Sequence, residues 1–288
     1  VGQENNVFKF LIACLLVGVV GVGAFGQAVS VSEPRQAELV EGKTYSIEWL
    51  AGGGETVKIK INGTRTPLGK ASRGDFSIVV AENVSAAQGT YSFVLPWIDA
   101  NEFKIRVEEY DGSGHLIASG DHGYSFRPEI LADRLLDGIY LDLHLHVNQR
   151  LYVQKDGKIT KIYISSSSKK YHWLPPNRHI PEPHDHAGVF KVLSKETDHW
   201  SDEYEVDMYW AMRYLSGHYI HATSANLYRY LGRPSSHGCN RLTRYDAQEI
   251  YKATPVGTRV EIIGPPSAYK TVAPRAKPKQ AQDMHPKV

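Results

Sequence analysis

The sequence predicts a mostly β protein with two domains: a β-sandwich, then a second β-rich domain with a few short helices. Three observations carry the prediction. Short runs alternate apolar and polar side chains with a period of two, which gives each strand one dry and one wet face. Glycine, asparagine and aspartate cluster between those runs, where turns need them. The 288 residues are 42% hydrophobic and 22% charged, enough chain and enough apolar surface for two cores of ordinary size.

Residues 1–28 stand apart. Lys9 precedes an apolar run from Phe10 to Phe25, and small residues follow at Gly26 and Ala28. The pattern reads as a signal peptide cleaved near Ala28. An uncleaved membrane anchor over residues 10–25 is the alternative, because the run is about the minimum for crossing a bilayer. Leu11-Ile12-Ala13-Cys14 also has the form of a lipoprotein box, but too few apolar residues precede Cys14. On either main reading the chain is exported, to the periplasm or cell wall. Cys14 and Cys239 are the two cysteines, so a processed chain keeps Cys239 alone and has no internal disulfide. A lone thiol in an oxidising compartment is a liability, which suggests reactivity. A small buried hydrophobe is the plainer alternative.

Residues 29–128 form the first domain. Thr44–Leu50 alternates, and Glu55–Ile61 does so more clearly, with Val57, Ile59 and Ile61 on one face. Phe76–Val80, Thr90–Leu95 and Phe103–Tyr110 continue the series, with turns expected at Gly52-Gly53-Gly54, Asn62-Gly63, Gln88-Gly89 and Asp111-Gly112. Several short strands of this kind imply a sandwich. The succession Gly89-Thr90-Tyr91-Ser92-Phe93, Pro96 and Phe103-Lys104-Ile105-Arg106-Val107 resembles Ig-like modules of cell-surface proteins, and the domain reads as a spacer or binding module.

Residues 129–137 are a linker, and the second domain covers 138–264. Strands are expected at Ile139–His144, Arg150–Gln154, Lys158–Ser165, Gly188–Ser194 and Thr258–Ile263, with Asp156-Gly157 as a tight hairpin turn. Residues 165–187, polar and proline-rich, read as a long loop. Thr243, with Asp246 three residues on, is an N-cap signal for a helix over 244–253 that stops before Pro255. Residues 265–288 lack periodicity and read as a disordered tail.

The formal net charge of +2 and pI near 8.4 give no support for nucleic-acid binding, which needs a concentrated basic stripe. The segment that concentrates chemistry is Ser235-Ser236-His237-Gly238-Cys239-Asn240-Arg241-Leu242. Acyl transfer needs a nucleophile, a base and donors for a developing oxyanion. A thiol attacks as the thiolate, and a neighbouring imidazolium lowers its pKa from about 8.5. Gly238 lets backbone N–H groups approach a reacting carbon closely, and the segment precedes a predicted helix, whose dipole would favour an anion there.

Ser236-His237-Gly238-Cys239-Asn240-Arg241-Leu242 resembles the S-H-G-C-x-R-L signature of L,D-transpeptidase catalytic domains of the YkuD type. His221-Ala222-Thr223 resembles their upstream H-G-T element, and Leu231-Gly232-Arg233-Pro234 also fits. Met208-Tyr209-Trp210-Ala211-Met212 is similar to M-P-Y-W-M, and Gly188-Val189-Phe190-Lys191-Val192 to T-G-x-F-x-V. The likeness covers about 138–263. It implies Cys239 as nucleophile and His221 as general base, oriented by the Ala222 carbonyl. It implies an oxyanion hole from the N–H groups of Gly238 and Cys239. Ser236, His237, Arg241, Asn240, Tyr209 and Trp210 are then candidate substrate contacts, with core packing the plainer reading for the last two. No metal and no organic cofactor is implied. The implied partners are peptidoglycan stem peptides as donor and acceptor, and a carbapenem adduct at Cys239. L,D-carboxypeptidase activity and an inactive wall-binding protein are the alternatives.

Three departures from the family pattern stand out. Ala222 replaces a glycine, Asn240 stands where an aliphatic residue is usual, and Pro183-His184-Asp185-His186-Ala187-Gly188 replaces a P-T-P-T-G run. His172, His179, His184, His186 and His199 invite a zinc reading, but zinc sites combine imidazoles with cysteine or carboxylate in fixed geometry. Without H-E-x-x-H in the sequence, solvated loop histidines are the preferred reading.

Overall fold

The structure is a computed structural model that describes residues 29–65, 74–144, 148–169, 172–174, 184–186 and 188–264. The signal peptide or anchor at 1–28, the tail at 265–288 and His179 lie outside the described residues. Among the described residues, no helix is long and apolar enough to cross a membrane.

The first domain is a two-sheet sandwich. One sheet has the order β1 (Ser30–Glu33), β3 (Thr44–Leu50), β6 (Thr90–Val94). The other runs β2 (Glu38–Val40), β8 (Leu116–Arg127), β7 (Glu102–Tyr110), β4 (Thr56–Arg65), β5 (Gly74–Ser85). Val57, Ile59 and Ile61 lie on the inner face of β4 beside Ile105 and Val107 of β7, all fully buried against Ile47, Trp49 and Phe93 of the facing sheet. Burying such a side chain is worth about 1.5–3 kcal/mol. The glycine run at 52–54 turns the chain around a buried acid: the Glu109 carboxylate accepts N–H groups from Gly52 at 2.7 Å, Gly53 at 3.2 Å and Gly54 at 2.7 Å. Successive backbone donors of this kind make an anion-binding concavity.

Asn62-Gly63 is not a turn. It lies inside β4, with Gly63 opposite Phe76 and Phe103. A Cβ on Gly63 would come within 2.7 Å of the Phe76 ring, so the glycine makes room for an aromatic neighbour.

The linker is embedded. Leu131 is fully buried in a cluster with Tyr140, Tyr152, Ile159 and Ile263 of the second domain. Arginines tie the parts together. Arg127, at the end of β8, bonds Glu38 at 2.6 Å, the Leu131 carbonyl at 3.1 Å, Gln154 at 3.0 Å and the Gly157 carbonyl. Arg150 reaches Asp99 at 3.3 Å and lies 4.9 Å from the Trp97 ring centroid.

The second domain packs two sheets around α1 (Arg244–Ala253). One sheet has the order β11 (Lys158–Ile164), β10 (Arg150–Lys155), β9 (Gly138–Asp142), β19 (Arg259–Ile263), β14 (Gly188–Lys191). The other has β15 (Ser194–Ser201), β16 (Val206–Leu215), β17 (His218–Ala222) and β18 (Asn240–Leu242) in sequence order. Asp156 and Gly157 both have positive φ, 52° and 71°, as the hairpin turn requires. The Thr243 hydroxyl caps α1 by accepting the Asp246 amide at 3.1 Å.

The expected loop at 165–187 is only partly one. Residues 172–174 (β12) and 184–186 (β13) form a short parallel pair. Ser165–Ser168 is buried, and its backbone is satisfied on both sides. Gln149 donates to the Ser167 hydroxyl and accepts the Ser167 amide, each at 2.8 Å. On the other side the Gly232, Ser235 and Ser236 amides bond serine carbonyls at 2.8 Å each. The run looks like a loop because serine is polar; its polarity instead serves an internal brace.

Candidate active site

β17 and β18 run parallel, with Ile220 opposite Asn240, His221 opposite Arg241 and Ala222 opposite Leu242. Side chains alternate along a strand. His221 and Arg241 therefore share a face, with Tyr219 two residues before His221; Cys239 lies in the bend just before β18 and feels the Arg241 charge, as His221 does.

The His221 ring is buried, and its Nδ1 lies 2.8 Å from the Ala222 carbonyl. A carbonyl only accepts, so Nδ1 carries the proton and Nε2 keeps a free lone pair. Burial lowers the His221 pKa to about 3, helped by the Arg241 charge and opposed by the Ala222 hydrogen bond. Cys239 is half-buried. Burial raises its pKa to about 11, while the Tyr219 amide and Arg241 favour the thiolate. Both shifts favour the neutral thiol and the neutral imidazole. The sulfur and the ring are not hydrogen-bonded to each other. The thiol instead donates to the Gly217 carbonyl at 3.7 Å. Arg241 lowers the pKa of both partners, which places its charge beside each of them. Its own guanidinium donates to the Ser235 carbonyl at 3.2 Å.

The loop before Cys239 is held by Ser236, whose hydroxyl accepts the Gly238 amide at 3.1 Å. That amide, expected to face an oxyanion, is engaged within the loop in this state. His237 stacks on Tyr204, with centroids 4.6 Å apart and planes at 22°, and its Nε2 lies 2.8 Å from Lys169 Nζ. Burial, then Lys169 and Arg241, lower the His237 pKa.

Three expected substrate contacts lie elsewhere. Asn240 is fully buried and donates to the Tyr214 hydroxyl at 3.0 Å. Alternation explains this, since a residue between Cys239 and Arg241 must point to the opposite face. Trp210 packs edge-on against Tyr251 of α1 at 5.4 Å, and the Arg244 guanidinium lies 4.1 Å from the Tyr209 ring centroid. These two belong to the packing of helix on sheet. Of the histidine cluster, His186 is buried against His218 at 4.8 Å, so it is not solvated. His199 stacks on Tyr219 at 4.7 Å and reaches Glu196 at 2.7 Å. Among the described residues, no group of three side chains suits a metal ion.

Tyr204, Glu203 and Tyr219 act on the sulfur, and Lys169 on His237, without having been singled out in the sequence. The first two lie in the β15–β16 turn, Lys169 follows the serine brace, and Tyr219 acts through its backbone amide.

Residues 142–262 match the YkuD family model, the L,D-transpeptidase catalytic domain. The second domain belongs to this family. No curated protein matches the chain. Among solved structures, an L,D-transpeptidase from Xylanimonas cellulosilytica is 23% identical over 48% of this chain and 64% of its own, with a TM-score of 0.38. One from Stackebrandtia nassauensis is 23% identical over 46% of this chain and 60% of its own, with a TM-score of 0.36. One from Mycobacterium smegmatis is 16% identical over 83% of this chain and 100% of its own, with a TM-score of 0.34. The chain spans less than two thirds of the length of the first two.

Proposed function

We propose that the protein is a peptidoglycan L,D-transpeptidase that works through Cys239, outside the cytoplasmic membrane where its substrate lies. The observation that supports this best is that one charge, Arg241, acts on both Cys239 and His221, whose Nε2 keeps its lone pair, within the family match. Cys239 turns from Gly217 toward His221 and attacks the carbonyl carbon of the L–D amide in a donor stem tetrapeptide. The thiol proton passes to Nε2 as the S–C bond forms, because neither group is charged at rest. The oxyanion meets the Cys239 amide and, once it leaves the Ser236 hydroxyl, the Gly238 amide. His221 returns the proton to the departing amine of the D-residue, the C–N bond breaks and a thioester remains. An acceptor amine then attacks the thioester, gives a proton to Nε2 and displaces the sulfur, which is reprotonated. With water as acceptor the same steps make an L,D-carboxypeptidase.

Intact-mass measurement after incubation with a carbapenem tests the nucleophile. One adduct on wild type and none on Cys239→Ala is expected; no adduct on either, or equal adduct on both, rules the proposal out. Product analysis with and without an added amine separates transfer from hydrolysis.

A further inference from the structure

Asp185 is a buried acid that this mechanism leaves unused. It sits in β13, where the family resemblance breaks down, and is 4% exposed. Among the described residues its partners include no cation. The Ser168 amide lies 3.2 and 3.1 Å from the two carboxylate oxygens, and the nearby Ser167 hydroxyl also favours the ionised form. From there one line of hydrogen bonds runs to the nucleophile. The Ser167 carbonyl accepts the Ser235 and Ser236 amides, each at 2.8 Å. The Ser236 carbonyl accepts the Lys169 amide at 2.9 Å, and the Ser236 hydroxyl holds Gly238 at 3.1 Å. Cys239 is the next residue.

We infer that Asp185 is a positioning residue for Cys239: its ionised carboxylate fixes the Ser167–Ser168 peptide in the register that aligns the nucleophile loop. The inference rests on the reading that Cys239 is acylated. A carboxylate accepts from both donors at once, whereas a protonated carboxyl accepts more weakly and must place a proton of its own. Burial raises the Asp185 pKa to about 7 against the Ser168 and Ser167 hydrogen bonds, so the register tightens as pH rises through neutrality. Cys239 and Tyr214 both feel its charge. His186 lies next to it on β13 and His218 packs on His186, while Lys169 and Arg241 lie on the segments joined by the serine brace. The charge of Asp185 alone raises the Cys239 pKa and so slows attack at high pH. Positioning accelerates it, and the two effects differ in sign.

The test follows the rate constant for carbapenem acylation of the full chain from about pH 5.5 to 9, with iodoacetamide alkylation in parallel. Wild type is expected to accelerate through a midpoint near 7. D185N should lack this midpoint, match wild type at the acid end and be about 10-fold slower at the alkaline end. Its alkylation should be no slower, because the thiol has lost a neighbouring negative charge. S167A, which removes a hydrogen bond that lowers the Asp185 pKa, should move the midpoint to higher pH. A D185N profile equal to wild type overturns the inference, as does uniform slowing at every pH, which would mark a merely structural role. If D185N does not fold, an S167A midpoint that stays in place overturns it. An adduct on wild type with an unchanged D185N leaves the acyl-transfer reading standing. No adduct on wild type removes both.

Discussion

Replacing Asp185 by asparagine should stabilise the protein at alkaline pH. Unfolded, this carboxyl ionises above 3.8; folded, it ionises only above about 7. Between those values the folded state keeps a proton that the unfolded state has released, so stability falls as pH rises and levels off once the folded carboxyl has ionised. Each pH unit in that window costs about 1.4 kcal/mol. From about pH 5 to pH 8.5 the wild type should lose about 3 kcal/mol through this one group, and asparagine at 185 has no such loss. Other titrating groups are shared by both proteins and cancel. The assay is urea unfolding of wild type and Asp185→Asn at both pH values. The stability of the variant relative to wild type should improve by about 3 kcal/mol from the acid to the alkaline condition. A difference that stays constant, or that moves in favour of wild type at alkaline pH, refutes the reasoning.

Alkylation of Cys239 in wild type should keep accelerating above pH 9, because the thiol ionises near 11; a plateau reached by pH 7 in the iodoacetamide rate would contradict the neutral resting pair. Asn240→Leu should destabilise by about 1–3 kcal/mol, since it removes the donor to the buried Tyr214 hydroxyl, and a thermal melt reads this. Gly63→Ala should cost about 1–3 kcal/mol by overpacking against the Phe76 ring, measured by the same melt. Arg127→Met leaves the half-buried carboxylate of Glu38 without its partner, and an uncompensated charge of this kind costs up to about 3–5 kcal/mol, seen as a lower unfolding midpoint.

What could be read from the sequence follows the physics of each element. Thr44–Leu50 and Arg244–Ala253 have the residue bounds expected of them, because a strict alternation and an N-cap with a proline stop leave little choice. β8 went unread since Gly120 and Gly123 interrupt its pattern, and β15 because Ser194–Ser201 is polar nearly throughout. The serine brace was invisible for a related reason: nothing in four serines says that Gln149 holds Ser165 and Ser167. At the site the motif singled out Cys239 and His221 but misjudged Asn240, whose direction depends on a strand register that sequence spacing does not contain. The Tyr219 contribution is a backbone amide, which any residue would supply.

The parallel pairing of β17 with β18 has a consequence for how this domain can change. His221 lies in β17 and Cys239 directly precedes β18, so the two candidate residues are brought together by a ladder as well as by the chain that joins them. That chain is pinned at Gly232, Ser235 and Ser236 by the serine brace, at Tyr230 by the Ser166 hydroxyl and at Tyr228 by the Arg244 amide. A change within the joining chain therefore reaches the two residues only by breaking the ladder or one of these bonds.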